Sequence, residues 1–312
     1  MTVKSRNITI GNDITFSYVS NNLEVLYGIK EDVDFEFKKV FSKPGGISFL
    51  STLINYANSL DYSIDIIHDD DIMYLQRANF FKNLGYEIEE SFTRHSVSRN
   101  MMEAKEIFKD GDPDFIDDRL KIILKSHIKN KENLILGILL TTYEVTDNIL
   151  EHSNGGEFIE SERSIDMPGF ICAQYYGGSQ NQIEIGISDS GIGIVNSLKN
   201  EYPDLSRKDV LKKAFELNTS RHKQIMPSRG NGLAKLKEFV LSSEGSIVCR
   251  TNEFKITFNK SYPHGRIKLE NEIIGTHFEI IICCKKDIDT KPIFNAIHED
   301  YEDESLDDFF DF

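Results

Sequence analysis

Three polar side chains stand four apart in a largely apolar run, "ENLILGILLTTYEVTDNILEHS": Glu144, Asn148 and His152. Positions i, i+4 and i+8 share one helix face. A carboxylate, a carboxamide and an imidazole therefore stand in one row. The carboxylate can take a proton, and an amide oxygen suits a hard cation. Further on, "QIEIGISDSGIGI" alternates up to Asp189, with Gly191 and Gly193 behind it. "SRGNGL" places Gly230, Asn231, Gly232 and Leu233 at a helix start, where bare N–H groups and the helix N-terminus favour anions. "GTHFEI" opens the last strong strand with Gly275 and Thr276. Taken singly, each stretch has an ordinary reading: a solvated helix stripe, or turn residues.

These groups need elements to bring them together. "DPDFIDDRLKIILKSHI" predicts a helix with Asp112 as N-cap and Pro113 at the first helical position. The apolar run carrying Glu144 predicts a longer helix ending before Gly155 and Gly156. "FICAQYY" and "QIEIGISD" read as a strand pair joined by "GGSQN". "GNGLAKLKEFVLSS" predicts a helix, and "GSIVCR", "FKITFN" and "IGTHFEIIICC" predict strands. Upstream, "NITIGNDITF" and "DFEFKKVF" alternate as strands. "PGGISFLSTLINYANSL" has helical spacing, and "DYSIDIIH" reads as a buried strand. "DDDIMYLQRANFFKNLGY" reads as a helix stopped by Gly85. A small α/β domain over 1–110 follows, although 91–111 shows no clear period.

Taken in order, E-x-x-x-N at 144–148, D-x-G-x-G at 189–193, G-x-G-L at 230–233 and G-T at 275–276 resemble the four nucleotide-binding boxes of the GHKL superfamily. Its members include gyrase-type topoisomerases, heat-shock chaperones of the Hsp-ninety class, mismatch-repair ATPases and histidine kinases. The resemblance covers roughly residues 115 to 285. It implies an α+β fold, a two-layer α/β sandwich of Bergerat (GHKL) type over 111–287, with a lid at about 194–229. It also implies ATP and Mg²⁺ as cofactors. Asp189 would accept a hydrogen bond from the adenine amine, supported by the Thr276 hydroxyl and a water. Gly191 and Gly193 would make room for the base. Asn148 would ligate the metal, Glu144 would orient or deprotonate water, and His152 would touch a phosphate. Gly230, Asn231, Gly232 and Leu233 would present backbone N–H groups to the phosphates. The lid holds "NTSRHKQIMPSR", whose Arg221 and Arg229 are expected to meet phosphate. Neither a G-x-x-x-x-G-K-[ST] loop nor a G-x-G-x-x-G fingerprint competes with this assignment.

The first domain resembles, over "FEFKKVFSKPGGISFLSTLINYANSLDYSIDII" and the helix after it, the STAS fold of anti-sigma-factor antagonists. An unrelated α/β partner-binding domain is the alternative. A STAS-like unit joined to a GHKL unit would be a fused regulatory pair.

Composition sets outer bounds. Of 312 residues, 39% are hydrophobic and 28% charged, enough apolar material for a core. The net charge of −15 argues against direct nucleic-acid binding, which needs Lys and Arg in excess. The last fifteen residues carry eight of the acids, so 288–312 reads as an acidic tail. Its "LDDFFDF" end could dock in a basic, aromatic-lined groove. Cys172, Cys249, Cys283 and Cys284 lack metal-ligand spacing and read as free thiols. No apolar run reaches the roughly 18 residues of a membrane span, and no secretory leader is visible. A cytoplasmic location is expected, without a membrane partner.

The expected function is a slow Mg²⁺-dependent ATPase whose lid closure switches a regulatory protein partner or self-association as a homodimer. Two alternatives stay open: a serine kinase of the anti-sigma or histidine-kinase-like type, and an ATP sensor without turnover. His127 in "LKSHIKNK" lacks a histidine-kinase phospho-acceptor signature. The short stretch after the last strand also leaves the lysine that gyrase-type enzymes bring to the γ-phosphate without an expected supplier.

Overall fold

The computed structural model describes residues 5–11, 13–23, 26, 31–38, 41–60, 63–68, 72–90, 92–93, 99–108, 111–153, 167–217 and 231–294. Strands β1 (Arg6–Ile10), β2 (Val33–Phe37) and β3 (Ile64–His68) pair in parallel in that order. Ile8 lies beside Phe35, and Phe35 beside Ile66. Helix α1 (Phe16–Asn22) stands where "ITF" reads as strand. Thr15 is its N-cap, the hydroxyl accepting the Tyr18 N–H, and this local bond outweighs the alternation. Helix α2 (Pro44–Ser59) begins with Pro44 in its first turn, as expected. The next helix is divided into α3 (Met73–Arg77) and α4 (Phe80–Asn83), because Asn79 between them adopts a left-handed φ of 56°.

A second sheet has seven strands, all antiparallel. They are β4 (Met101–Ile107), β5 (Gly169–Tyr176), β6 (Gln182–Ser188), β7 (Ser246–Thr251), β8 (Phe254–Asn259), β9 (Tyr262–Leu269) and β10 (Thr276–Cys283), ordered β4-β5-β6-β10-β7-β8-β9. The chain is thus a mixed α+β protein. The large sheet already begins with β4, inside the span 1–110. A register shift between Met102 and Lys105 explains why that stretch shows no clear period.

Helices α5 (Asp112–His127), α6 (Glu132–Ser153) and α9 (Gly232–Ser242) cover one face of this sheet. With them are α7 (Ile194–Lys199), α8 (Arg207–Ala214) and the short α10 (Lys291–Phe294). Asp112 does not cap α5. The cap position is Gly111, and Asp112 lies inside the first turn. Its carboxylate accepts the Phe108 N–H at 2.8 Å and pairs with Lys105 at 2.9 Å, tying the helix to the end of β4. All four cysteines are free. Among the described residues no helix is long and apolar enough to cross a membrane.

Period-two alternation gives the sheet two different faces. Ile171 and Ala173 of β5 point into the core under α5, α6 and α9. Phe170 and Cys172 point into a second core shared with α2 and the parallel sheet. Helix α2 therefore lies between the two sheets. Phe49 stacks on His277 of β10 with ring centroids 3.8 Å apart, and meets Phe16 of α1 at 5.1 Å. The approach is close enough to demand glycine. A Cβ on Gly186 of β6 would lie 2.3 Å from the Pro44 carbonyl oxygen.

Candidate functional site

β6 carries Asp189 to the sheet's end, on the side facing the helices. Its neighbour on β10 is Thr276, reached through a bond from the Asp189 N–H to the Thr276 carbonyl at 2.9 Å. One carboxylate oxygen, Oδ1, accepts two backbone donors: Gly191 N–H at 2.8 Å and Thr276 N–H at 3.3 Å. Oδ2 accepts no hydrogen bond among the described residues. Burial pushes the Asp189 pKa up to about 6, and the two N–H donors pull against that rise. Gly275 has φ 75°, and a Cβ there would lie 1.8 Å from the Asp189 carbonyl oxygen. Only glycine lets β10 start this close to the Asp189 backbone.

The loop after Asp189 is held by the β7–β8 turn. Thr251 Oγ1 accepts the Ile194 N–H at 3.0 Å and lies 3.0 Å from the Gly275 carbonyl, to which it donates. It also lies 3.2 Å from Thr276 Oγ1. Asn252 accepts the Val195 N–H at 3.0 Å and donates to the Ile192 carbonyl at 2.9 Å. Gly193 (φ 80°) packs on this amide, a Cβ coming within 2.6 Å of Asn252 Oδ1. Buried Arg250, fully withdrawn from solvent, donates to the Asn252, Phe254 and Asn271 carbonyls and fixes the turn in its place.

α6 crosses above. Gly169 of β5 sits beneath Ile149, where a Cβ would meet Ile149 Cγ2 at 2.6 Å and the Ser188 carbonyl at 3.1 Å. This places the end of α6, with half-buried Asn148, over the end of β6. One turn earlier, Glu144 packs on α9: a Cβ on Gly232 would lie 2.7 Å from Glu144 Oε2. At the far end of this helix pair, Gly137 is pressed on Phe239 in the same way, 2.2 Å from a ring carbon. The two glycines let the helices approach and set the height of the Glu144 carboxylate against the start of α9. Asn231, beside Gly232, is buried.

Of the expected site residues, Glu144, Asn148, Asp189, Gly191, Gly193, Asn231, Gly232, Leu233 and Thr276 all lie on the helix-covered side of the large sheet. Arg221, Arg229 and Gly230 lie outside the described residues. His152 falls in the last turn of α6, its side chain likewise outside them. The described part of the expected lid, 194–217, is a packed element. Val195, Leu198, Val210, Leu211 and Phe215 are buried in the core. Arg207 grips Glu253 through two bonds, Nη2 to Oε2 at 2.7 Å, and donates to Asn196 at 2.9 Å. A closing motion of this part would have to break these contacts.

Four further residues escape a reading by motif: Arg250, Thr251, Asn252 and Lys235. Thr251 and Asn252 act on a loop 57 positions away in the chain, and Arg250 holds their turn. Their only local signal is "RTNEF", an asparagine in a tight hairpin turn, here with φ 47°. Lys235, one turn into α9, is partly buried with its ammonium 5.8 Å from the Phe294 ring. Burial lowers its pKa, and the nearby Glu144 carboxylate opposes the change. No protein-family model matches the chain, and no curated protein matches it.

Proposed function

We propose that the chain binds ATP with Mg²⁺ on the helix-covered side of the large sheet and hydrolyses it slowly, as a Bergerat-type domain of the GHKL kind. The observation that carries this is Asp189. A buried carboxylate whose Oδ1 is saturated by two backbone donors and whose Oδ2 stays open is built to accept one more donor. An exocyclic amine of a purine fits that role. Gly191 donates its N–H to the carboxylate, and Gly193 and Gly275 let the following loop and the start of β10 close in beside it. Thr251 and Thr276 supply hydroxyls next to the same carboxylate.

The phosphates belong at the other end, where α9 begins. Its N-terminus attracts negative charge, and Gly232 lets it pack against Glu144. Among the described residues no cluster of three or more His, Cys, Asp or Glu could hold a metal by itself. The cation would be carried mainly by phosphate oxygens, with the Asn148 amide oxygen as the protein's contribution. Bound there, the cation would offset charge on the phosphates. Glu144, packed on Gly232 one turn from Asn148, is placed to hold and deprotonate a water. Lys235 adds a cation beside Glu144. Arg250, Thr251 and Asn252 keep the base end rigid.

This reading is tested with purified protein, ATP and Mg²⁺. Wild type is expected to bind ATP and release phosphate. Glu144→Ala is expected to bind ATP but to release phosphate about 10²–10⁴-fold more slowly. Absence of ATP binding refutes the assignment. Unimpaired release by the variant refutes the role of Glu144.

A further inference from the structure

Helix α5 turns an unusual face to solvent. Phe115 and Ile122 are two turns apart on the same side, 49% and 46% exposed. The core does not need them, because Ile116, Leu120, Ile123 and Leu124 already fill the buried face. Lys105, 5.9 Å from the Phe115 ring centroid, and Arg119 are tied to Asp112 and Glu103 respectively, and the more exposed charges of the helix divide by sign. Asp114 and Asp118 flank Phe115 in the first half, while Lys121 and Lys125 flank Ile122 in the second. Lys121 pairs with Asp117 within the helix at 2.7 Å. Asp114, Asp118 and Lys125 form no ion pair among the described residues. A helix dipole accounts for acids at the start and bases at the end. It does not account for two large apolar side chains between them, in the open.

We propose that α5 is a self-association surface, on which a second copy of this chain packs its own α5 antiparallel about a two-fold axis. The occupant follows from the pattern. Antiparallel pairing sets the acidic half of each helix against the basic half of the other, so that Asp114 faces Lys125 and Asp118 faces Lys121. Phe115 of each copy then meets Ile122 of its mate. A parallel pair would set acid on acid and base on base, so the charges choose the orientation. A uniformly acidic or basic foreign surface would match only half of the face, whereas a second copy matches both halves. Residue i meeting j, and j meeting i, is the mark of an isologous contact. The sixteen residues of α5 span about 24 Å. Phe108 and Tyr143, 46% and 42% exposed, extend the apolar surface at its margins. A contact of this size lies at the low end of specific interfaces, so the dimer is reversible and depends on concentration. The inference is independent of the nucleotide reading and can fail or hold without it.

Sedimentation equilibrium of the full chain tests it, without nucleotide. Wild type is expected to show a monomer–dimer equilibrium. The pair Asp114→Lys with Asp118→Lys makes the face wholly basic; Lys121→Glu with Lys125→Glu makes it wholly acidic. Each variant alone is expected to be monomeric. Mixed in equal amounts, they are expected to form a heterodimer, which also shows that both are folded. A wild type that stays monomeric at its highest soluble concentration overturns the proposal. So does a dimer that persists in both charge variants, or a mixture that remains monomeric.

Discussion

The two faces of the seven-stranded sheet bury charge in different ways. On the helix side, the inner strands β5, β6, β10, β7 and β8 are apolar through their middles, and their polar groups stand at strand ends: Asp189, Thr251 and Thr276. On the α2 side, charge is buried in mid-strand. Glu184 of β6 pairs with Lys43 at 2.9 Å, and the Lys43 ammonium lies 3.9 Å from the Tyr176 ring centroid. Glu279 of β10 lies close by, against Gly45. His277 is fully buried, its pKa pushed down to about 3, chiefly by burial. These groups mostly face one another and the start of α2. Asp189 instead keeps one oxygen open at the margin of the sheet. Buried charge alone therefore does not mark a binding site. The α2 side is a joint between the two sheets, where His277 Nδ1 is itself left without a partner among the described residues; Asp189 differs in standing at the sheet's margin.

The sharpest way to break this comparison is to damage the joint and look for an effect at the site. Phe49→Ala removes a fully buried ring between His277 and Phe16. It is expected to cost about 3–5 kcal/mol of stability by urea unfolding. Nucleotide affinity of the folded fraction should stay within a few-fold of wild type. A large loss of affinity in stably folded protein would show that the α2 face is part of the site.

A second test uses pH. Burial and the neighbouring Glu184 push the Glu279 pKa up to about 7, against the pull of Lys43. The unfolded chain loses this proton near the ordinary 4.5, while the folded chain holds it until about 7. Stability from this group is thus present in acid and falls as pH rises from about 4.5 through 7. Glu279→Gln should flatten that part of the profile and raise stability at pH 8 by up to about 3 kcal/mol. An unchanged profile would remove Glu279 from the account of the joint.

The smallest expected effect falls on the helix side. Lys235→Met keeps the buried stem and removes the charge. It should slow phosphate release several-fold and leave ATP affinity nearly unchanged. A shift in affinity alone would assign Lys235 to binding instead.

Much of the scaffold was legible because its signals are strong and local. The apolar run of α6 and the alternation of β5 and β6 are long and unmixed, and Asp189 with its glycines is a compact pattern. The elements that differ from expectation are polar or interrupted. β9 contains Pro263 and Gly265, and α7 and α8 lie in a segment whose few apolar residues are spaced by charge. Strand β4 is bulged, and Asn79 splits a helix that periodicity alone continues. At the site, the positions of Glu144 and Asp189 could be read, but not what holds them. Thr251, Asn252 and Arg250 act across the fold, through contacts that no local pattern encodes.

The central claim is that Asp189 is the acceptor for a nucleobase amine. It is tested by calorimetric titration of ATP into wild type and Asp189→Asn from pH 5 to pH 8. The asparagine can keep Oδ1 on the Gly191 and Thr276 N–H groups, so its amide nitrogen would face the ligand and present a donor to a donor. Wild-type affinity should fall as pH drops through about 6, where Asp189 gains its proton. The variant should bind at least about 10²-fold more weakly, as expected when a buried polar contact is mismatched, while remaining at least as stable as wild type. Equal affinity in the two proteins across this range would contradict the claim.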